Sequence, residues 1–120
     1  MEKVNLDSKL GLFDDHWNPR IVGELNGQHV KLAKMRGEFV WHAHAGEDEM
    51  FLVLRGGFRM EFRDRPAVTL GAGEFLIVPR GVEHRPVAEQ ECSNLLFEPA
   101  QIHHTGGVES ELTVEHPERI

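Results

Sequence analysis

At 120 residues, with 40% hydrophobic and 28% charged side chains, the chain has the size and composition of one globular domain that buries a single core without staples. A formal charge of −7 argues against nucleic acid as the main partner, because phosphate backbones select basic surfaces. The lone cysteine, Cys92, rules out an internal disulfide and suits a reducing compartment, where it reads as a small buried hydrophobe.

Taken in chain order, residues 1–20 form an arm. Its opening, MEKVNLDSKLGLFDD, has no apolar core of a signal peptide, and no later stretch approaches the ~20 apolar residues of a membrane span. The expected setting is therefore the cytoplasm, with no membrane partner. The arm closes at DDHWNP. Asp14, Asp15 and His16 are metal-capable types, but an Asp-rich segment before Trp-Asn-Pro is sufficiently explained as a turn.

From Ile21 the pattern is one of strands. IVGEL leads into Asn26-Gly27, a strong hairpin signal. HVKLAKM follows, with Val30, Leu32 and Lys34 on one side. After Gly37, EFVWHAH is expected as a strand with Val40, His42 and His44 on its inner face and Phe39 and Trp41 facing outward. EMFLVLR, a turn at Gly56 and Gly57, and the alternating FRMEFR come next; Arg59 and Arg63 then lie on an outer face. AVTL, EFLIVP, HRPVAE and SNLLFEP complete the series to residue 100. Short strands between closely spaced turns, with no sustained helical period, indicate an all-β sandwich or barrel. Residues 101–120 form a polar tail whose end, EHPERI, is expected to make a helical turn or dock elsewhere.

The chemistry concentrates in two glycine-punctuated stretches, GEFVWHAHAGEDEMFLVLRG and GEFLIVPRGVEH. On a strand, a His-x-His pair directs both imidazoles to one face. An acidic turn then supplies a carboxylate from Glu47, Asp48 or Glu49, and His84 follows a Pro-x-Gly turn. Imidazole suits Zn, Cu, Fe and Ni, and a carboxylate adds hardness suited to Mn and Fe(II). The expected cofactor is one divalent transition metal per chain: Mn, Fe, Ni or Zn. His103 and His104, in the tail, are weaker candidates as ligands or substrate contacts.

These stretches resemble the two motifs of the cupin superfamily. The first motif reads G-x5-H-x-H-x(3,4)-E-x6-G; here four residues rather than five separate Gly37 from His42, and the match is complete from His42 through His44 and Glu49 to Gly56. The second reads G-x5-P-x-G-x2-H-x3-N; Gly73, Pro79, Gly81 and His84 match, and Ala88 replaces the terminal Asn. The resemblance covers residues 37–88. It implies a double-stranded β-helix, or jelly roll, over residues 21–100, with His42, His44, Glu49 and His84 as the metal ligands. The family spacing selects Glu49 over Glu47 and Asp48, and so does the strand that starts there. The chain as a whole resembles small single-domain cupins described as mannose-6-phosphate-isomerase-like.

Inner-face parity proposes Val40, Phe51, Val53, Met60, Phe62, Phe75 and Ile77 as an apolar pocket for a small organic ligand. Glu38 is the candidate catalytic base, with Lys34 and Glu98 beside it as further acid–base candidates. The first functional expectation is a metal-dependent isomerase or epimerase acting on a small carbohydrate or hydroxy-carbonyl compound. The sequence lacks an inward basic cluster for a phosphate, so the substrate is expected to be unphosphorylated. The alternatives are an Fe or Ni cupin dioxygenase and a non-enzymatic ligand sensor. A homodimer is expected, with Phe39 and Trp41 at its interface.

Overall fold

The computed structural model describes residues 1–100, 112–114 and 116–120. A short helix, α1 (Leu6–Leu10), precedes strands β1 (Arg20–Leu25), β2 (Gln28–Glu38), β3 (Glu49–Arg55), β4 (Gly57–Phe62), β5 (Val68–Gly71), β6 (Phe75–Val78), β7 (His84–Pro99) and β8 (Glu118–Arg119). The expected all-β jelly roll is what forms. No described helix is long and apolar enough to cross a membrane.

Strand β7 is the spine. It pairs with β2 from Gln28↔Pro99 to Glu38↔Val87. Its other edge pairs first with β4, through Arg59↔Val87 to Phe62↔His84, and then with β3, through Arg55↔Ser93 to Met50↔Phe97. All these pairings are antiparallel. One long strand thus passes from one layer of the roll to the other and brings its first residue, His84, against the β2–β3 connection. The core between the layers includes Ala33, Met35, Phe51, Val53, Phe58, Met60, Val78, Cys92 and Leu96, all under 5% exposed. Burial pushes the Cys92 thiol pKa up, in keeping with a packing role.

The arm seals an outer sheet face. A five-residue helix is marginal alone, but Asn5 caps α1 by accepting from the Ser8 N–H at 2.9 Å. Leu10 and Phe13 pack on Leu32, with Leu54, Leu95 and Ile120 around them. Lys34 anchors the arm by donating to the carbonyls of Leu10 and Phe13 at 2.9 and 2.6 Å. The tail end is neither a helical turn nor a loose segment: Glu118 and Arg119 pair in parallel with Arg20 and Ile21.

Two face assignments made from alternation are corrected. In β6 the register places Leu76 opposite Phe51 and Val78 opposite Glu49. Cross-strand partners share a face, so Leu76 and Val78 turn inward while Phe75 and Ile77 are 61% and 52% exposed. The run Phe-Leu-Ile-Val is apolar at every position and has no parity to read. The second correction concerns Phe39, which is buried rather than outward. The β2–β7 register slips between Met35 and Gly37, and Gly37 adopts φ 84°. That slip is of two residues and leaves Phe39 on the core side with Met35; facing reverses only between Glu38↔Val87 and the His42↔His84 bridge, where the β2 side carries one extra residue. Val40, expected inward, is half-buried, and Trp41 is held under Arg63 and Arg85, whose guanidinium carbons lie 4.1 and 4.8 Å from its ring centre.

Candidate metal centre

The two glycine-punctuated stretches are stitched together by backbone hydrogen bonds. His42 and His84 exchange a pair of them, at 3.1 and 2.8 Å, as an isolated antiparallel bridge rather than part of a continuous strand. Gly81, at φ 79°, donates its N–H to the His44 carbonyl at 2.8 Å. The Asp48 carboxylate accepts from the Arg80 N–H at 2.8 Å, so Asp48 fastens the Pro-x-Gly turn to the acidic loop instead of facing the site. Glu49 opens β3 opposite Val78.

His42, His44, Glu49 and His84 converge, their ligand atoms all within 4.8 Å of one another. They are 3%, 5%, 2% and 0% exposed. Glu49 Oε1 lies 3.3 Å from His44 Nε2 and 3.7 Å from His84 Nε2. None of these three atoms has a well-directed hydrogen bond, which in a buried site costs ~1–3 kcal/mol per group. The far sides of two rings are pinned: His42 Nδ1 donates to the Val40 carbonyl at 2.9 Å, and His84 Nδ1 to the Val82 carbonyl at 2.8 Å. A carbonyl only accepts, so Nδ1 carries the proton and Nε2 offers its lone pair inward. Burial, and then the nearby His84, lowers the His42 pKa from 6.5 to about 4. The ring is therefore neutral at neutral pH. Buried, unpartnered imidazole nitrogens of His44 and His84 facing an unpartnered carboxylate oxygen, with His42 beside them, fit a divalent transition metal.

Behind Glu49 lies a second buried carboxyl group. Glu98 lies next to Glu49, and its Oε1 accepts from Lys31 Nζ at 2.9 Å. Burial pushes Glu49 up, but its close contacts with Glu98, His44 and His84 outweigh it and hold the carboxyl well below its usual range. Burial and the charge of Glu49 drive Glu98 well above its own.

The acid–base candidates separate widely. Glu38 is exposed and accepts from Arg85 at 3.2 Å, away from the convergent group. Lys34 is committed to the arm. Of the three, Glu98 alone reaches the ligand set. His103 and His104 lie outside the described residues. His16 pairs with Glu91, and Asp15 accepts from Asn18 and Arg20, so DDHWNP is a turn, and no second metal-ligating cluster occurs among the described residues. Sequence reasoning missed Lys31, Trp17 and Phe39. A lysine inside an alternating strand was the only signal for the first.

An apolar cavity abuts His42 and Glu49, lined by Trp17, Pro19, Met35, Phe39, Phe51 and Leu96. Of the expected pocket residues only Phe51 lines it; Val53 and Met60 belong to the packed core. Trp17 stacks on Phe39 with centroids 4.7 Å apart, and Phe39 meets the His42 ring edge-on at 5.4 Å. Trp17 sits at φ 59°, a strained region for a bulky residue. It is held there by its backbone N–H to the Lys34 carbonyl and its indole N–H to the Arg36 carbonyl, both at 2.9 Å.

Comparison with known proteins gives a consistent grouping. The cupin domain family matches residues 28–98. YdbB of Bacillus subtilis is 36% identical over 80 residues, covering 67% of this chain and 71% of its own length. A cupin-2 domain protein from Shewanella frigidimarina superposes with a TM-score of 0.78 at 47% identity, over 80% of this chain and 93% of that one. A Neisseria meningitidis protein does so at 0.76 and 32%, over 82% and 100%. A hydroquinone 1,2-dioxygenase from Sphingomonas shares the fold at a TM-score of 0.74, with 22% identity, this chain matching 82% of its own length and 32% of the enzyme's.

Proposed function

The chain belongs to the cupin family, and from that premise we propose that it holds one divalent transition metal on His42, His44, Glu49 and His84 and acts on a small, largely apolar ring compound with a ligating oxygen, in an oxygen-dependent reaction. The observation that carries this reading is the apolar cavity running from Trp17 and Phe39 to the ligand set, with no charged side chain in its lining but Glu49. Such a wall favours a ring over a sugar, whose hydroxyls would go unpaired there.

The metal, when bound, supplies Lewis acidity and, as Fe, redox capacity. The residues supply the rest. Val40 and Val82 fix the tautomers of His42 and His84, so each ring presents its lone pair without rearrangement. Phe39 offers a flat face on which an aromatic ligand stacks in place of Trp17, and Trp17 covers that face from water when the ligand is absent. The enclosed space is only about 30 Å³, so a ring enters by taking space now held by Trp17. An isomerase needs a base within reach of the carbon to be deprotonated. Glu38 is not at the cavity, and Glu98 is occupied behind Glu49, so the carbohydrate isomerase has less support.

We read the assembly as a homodimer. Phe39 is buried and Trp41 is covered by arginines, so we place the contact on Phe75 and Ile77, two exposed apolar side chains that share one face of β6.

The test is to load the protein anaerobically with Fe(II), add 4-nitrocatechol, and follow its visible spectrum. Oxygen uptake is then measured with catechols and hydroquinones, and turnover with aldoses and ketoses. A spectral shift and ring-dependent oxygen uptake, both absent in His44→Ala, are expected. Aldose turnover that incorporates solvent deuterium without oxygen would return the assignment to isomerisation. Tight binding with no turnover of either class would make the chain a sensor.

A further inference from the structure

We propose that Lys31 and Glu98 are positioning residues for the metal centre, a buried ion pair that braces Glu49 from behind so that its free oxygen stays turned toward the imidazoles. The inference rests on the reading of His42, His44, Glu49 and His84 as a metal site.

Three adjacent strands bring the residues together. The β3–β7 register runs Met50↔Phe97, and one further antiparallel step sets Glu49 opposite Glu98. On the other edge of β7, His29 is the partner of Glu98 and Lys31 that of Leu96, so Lys31 is diagonal to Glu98 on the same inner face. Lys31, Glu98 and Glu49 are 1%, 1% and 2% exposed. Glu98 Oε1 accepts from Lys31 Nζ at 2.9 Å. Its Oε2 is buried and has no hydrogen-bond partner. One oxygen of Glu49, Oε1, is likewise without a well-directed bond and faces His44 and His84.

Stability does not account for this arrangement. Desolvating a lysine and a glutamate is expensive, and apolar replacements of buried ion pairs are often neutral or stabilising. Fully buried lysines are rare unless paired. A role at the metal does account for it. Carboxylate ligands are commonly held by hydrogen bonds from the next layer of residues, and loss of such a partner weakens metal binding ~10–100-fold. Glu98, one step on from the Met50↔Phe97 pair and so across from Glu49, is placed to brace that carboxylate, and Lys31 keeps Glu98 in place.

The experiment compares wild type, the double variant Lys31→Met/Glu98→Leu, and Glu98→Gln. Zn(II) affinity is read by competition with a chromophoric chelator, the Co(II) absorption spectrum reports ligand geometry, and metal-free melting temperature reports the fold. The double variant should melt, metal-free, no lower than wild type. It should bind Zn(II) ~10–100-fold more weakly and show altered Co(II) bands. Glu98→Gln keeps a donor for Glu49 and an acceptor for Lys31, so it should retain most of the affinity. A double variant with wild-type affinity and an unchanged Co(II) spectrum overturns the proposal. So does one that fails to fold, since the pair would then be a folding element. Wild-type protein that takes up neither ion overturns the metal reading itself, and this inference with it.

Discussion

His42 is the titrating group that links the metal centre to the stability of the fold. Its pKa is about 4 when folded, against 6.5 ordinarily. Between these values the unfolded chain takes up a proton that the folded chain refuses, so acid favours unfolding. The contribution is fully present above pH ~6.5 and is lost as pH falls through about 4. It is on the order of 3 kcal/mol. Metal-free protein should therefore melt at a distinctly lower temperature at pH 4.5 than at pH 7.5, and His42→Gln should flatten that dependence. A wild-type melting temperature unchanged across this range would contradict the burial argument. Bound metal adds a second acid-sensitive gain, since its ligands must be deprotonated to bind.

At the scale of elements, the β3–β4 turn is the tightest joint in the roll. Gly56 has φ 77°, and a Cβ there would lie 2.7 Å from the Glu91 carbonyl oxygen and 3.3 Å from Cys92 Cα, both backbone of β7. Gly27 in the β1–β2 hairpin has nearly the same φ, 75°, with nothing within 4 Å of a built Cβ. The two positions separate conformational strain from collision. Gly27→Ala should destabilise by about 1–2 kcal/mol, the cost of the left-handed backbone alone. Gly56→Ala should exceed it clearly, because β7 cannot recede without disturbing its pairing to β2. Urea unfolding of both variants decides the matter; equal losses would mean that the turn relaxes freely. The DDHWNP turn is a different kind of joint. It holds Trp17 in a strained conformation through two hydrogen bonds to β2, and so places an aromatic wall over the cavity.

For the whole molecule, two of the exposed apolar side chains, Phe75 and Ile77, share one face of β6. Phe75 and Ile77 flank Leu52 and Met50 across the β3–β6 pairing, on the side away from the core. In the proposed homodimer this face is buried, so Phe75→Glu should shift sedimentation at micromolar concentration from dimer to monomer. Trp41→Glu should not, because Trp41 already packs under Arg63 and Arg85. A monomeric wild type would end the dimer reading.

The convergence of His42, His44, Glu49 and His84 and the fold class could be read from order along the chain alone. Both depend on local pattern: turn glycines at set intervals, strand-length runs, and metal-capable residue types at motif spacing. Facing could not be read where the pattern was silent. Phe-Leu-Ile-Val has no polar member to mark a side, and one extra residue between Glu38 and His42 put Phe39 on the buried side along with His42, against expectation. The Lys31–Glu98–Glu49 array and the Trp17 wall join residues far apart in sequence. They exist because β2, β7 and β3 lie side by side and because the arm folds back over β2. Strand register and packing across the sheet set such contacts, and a linear sequence carries no spacing that encodes them.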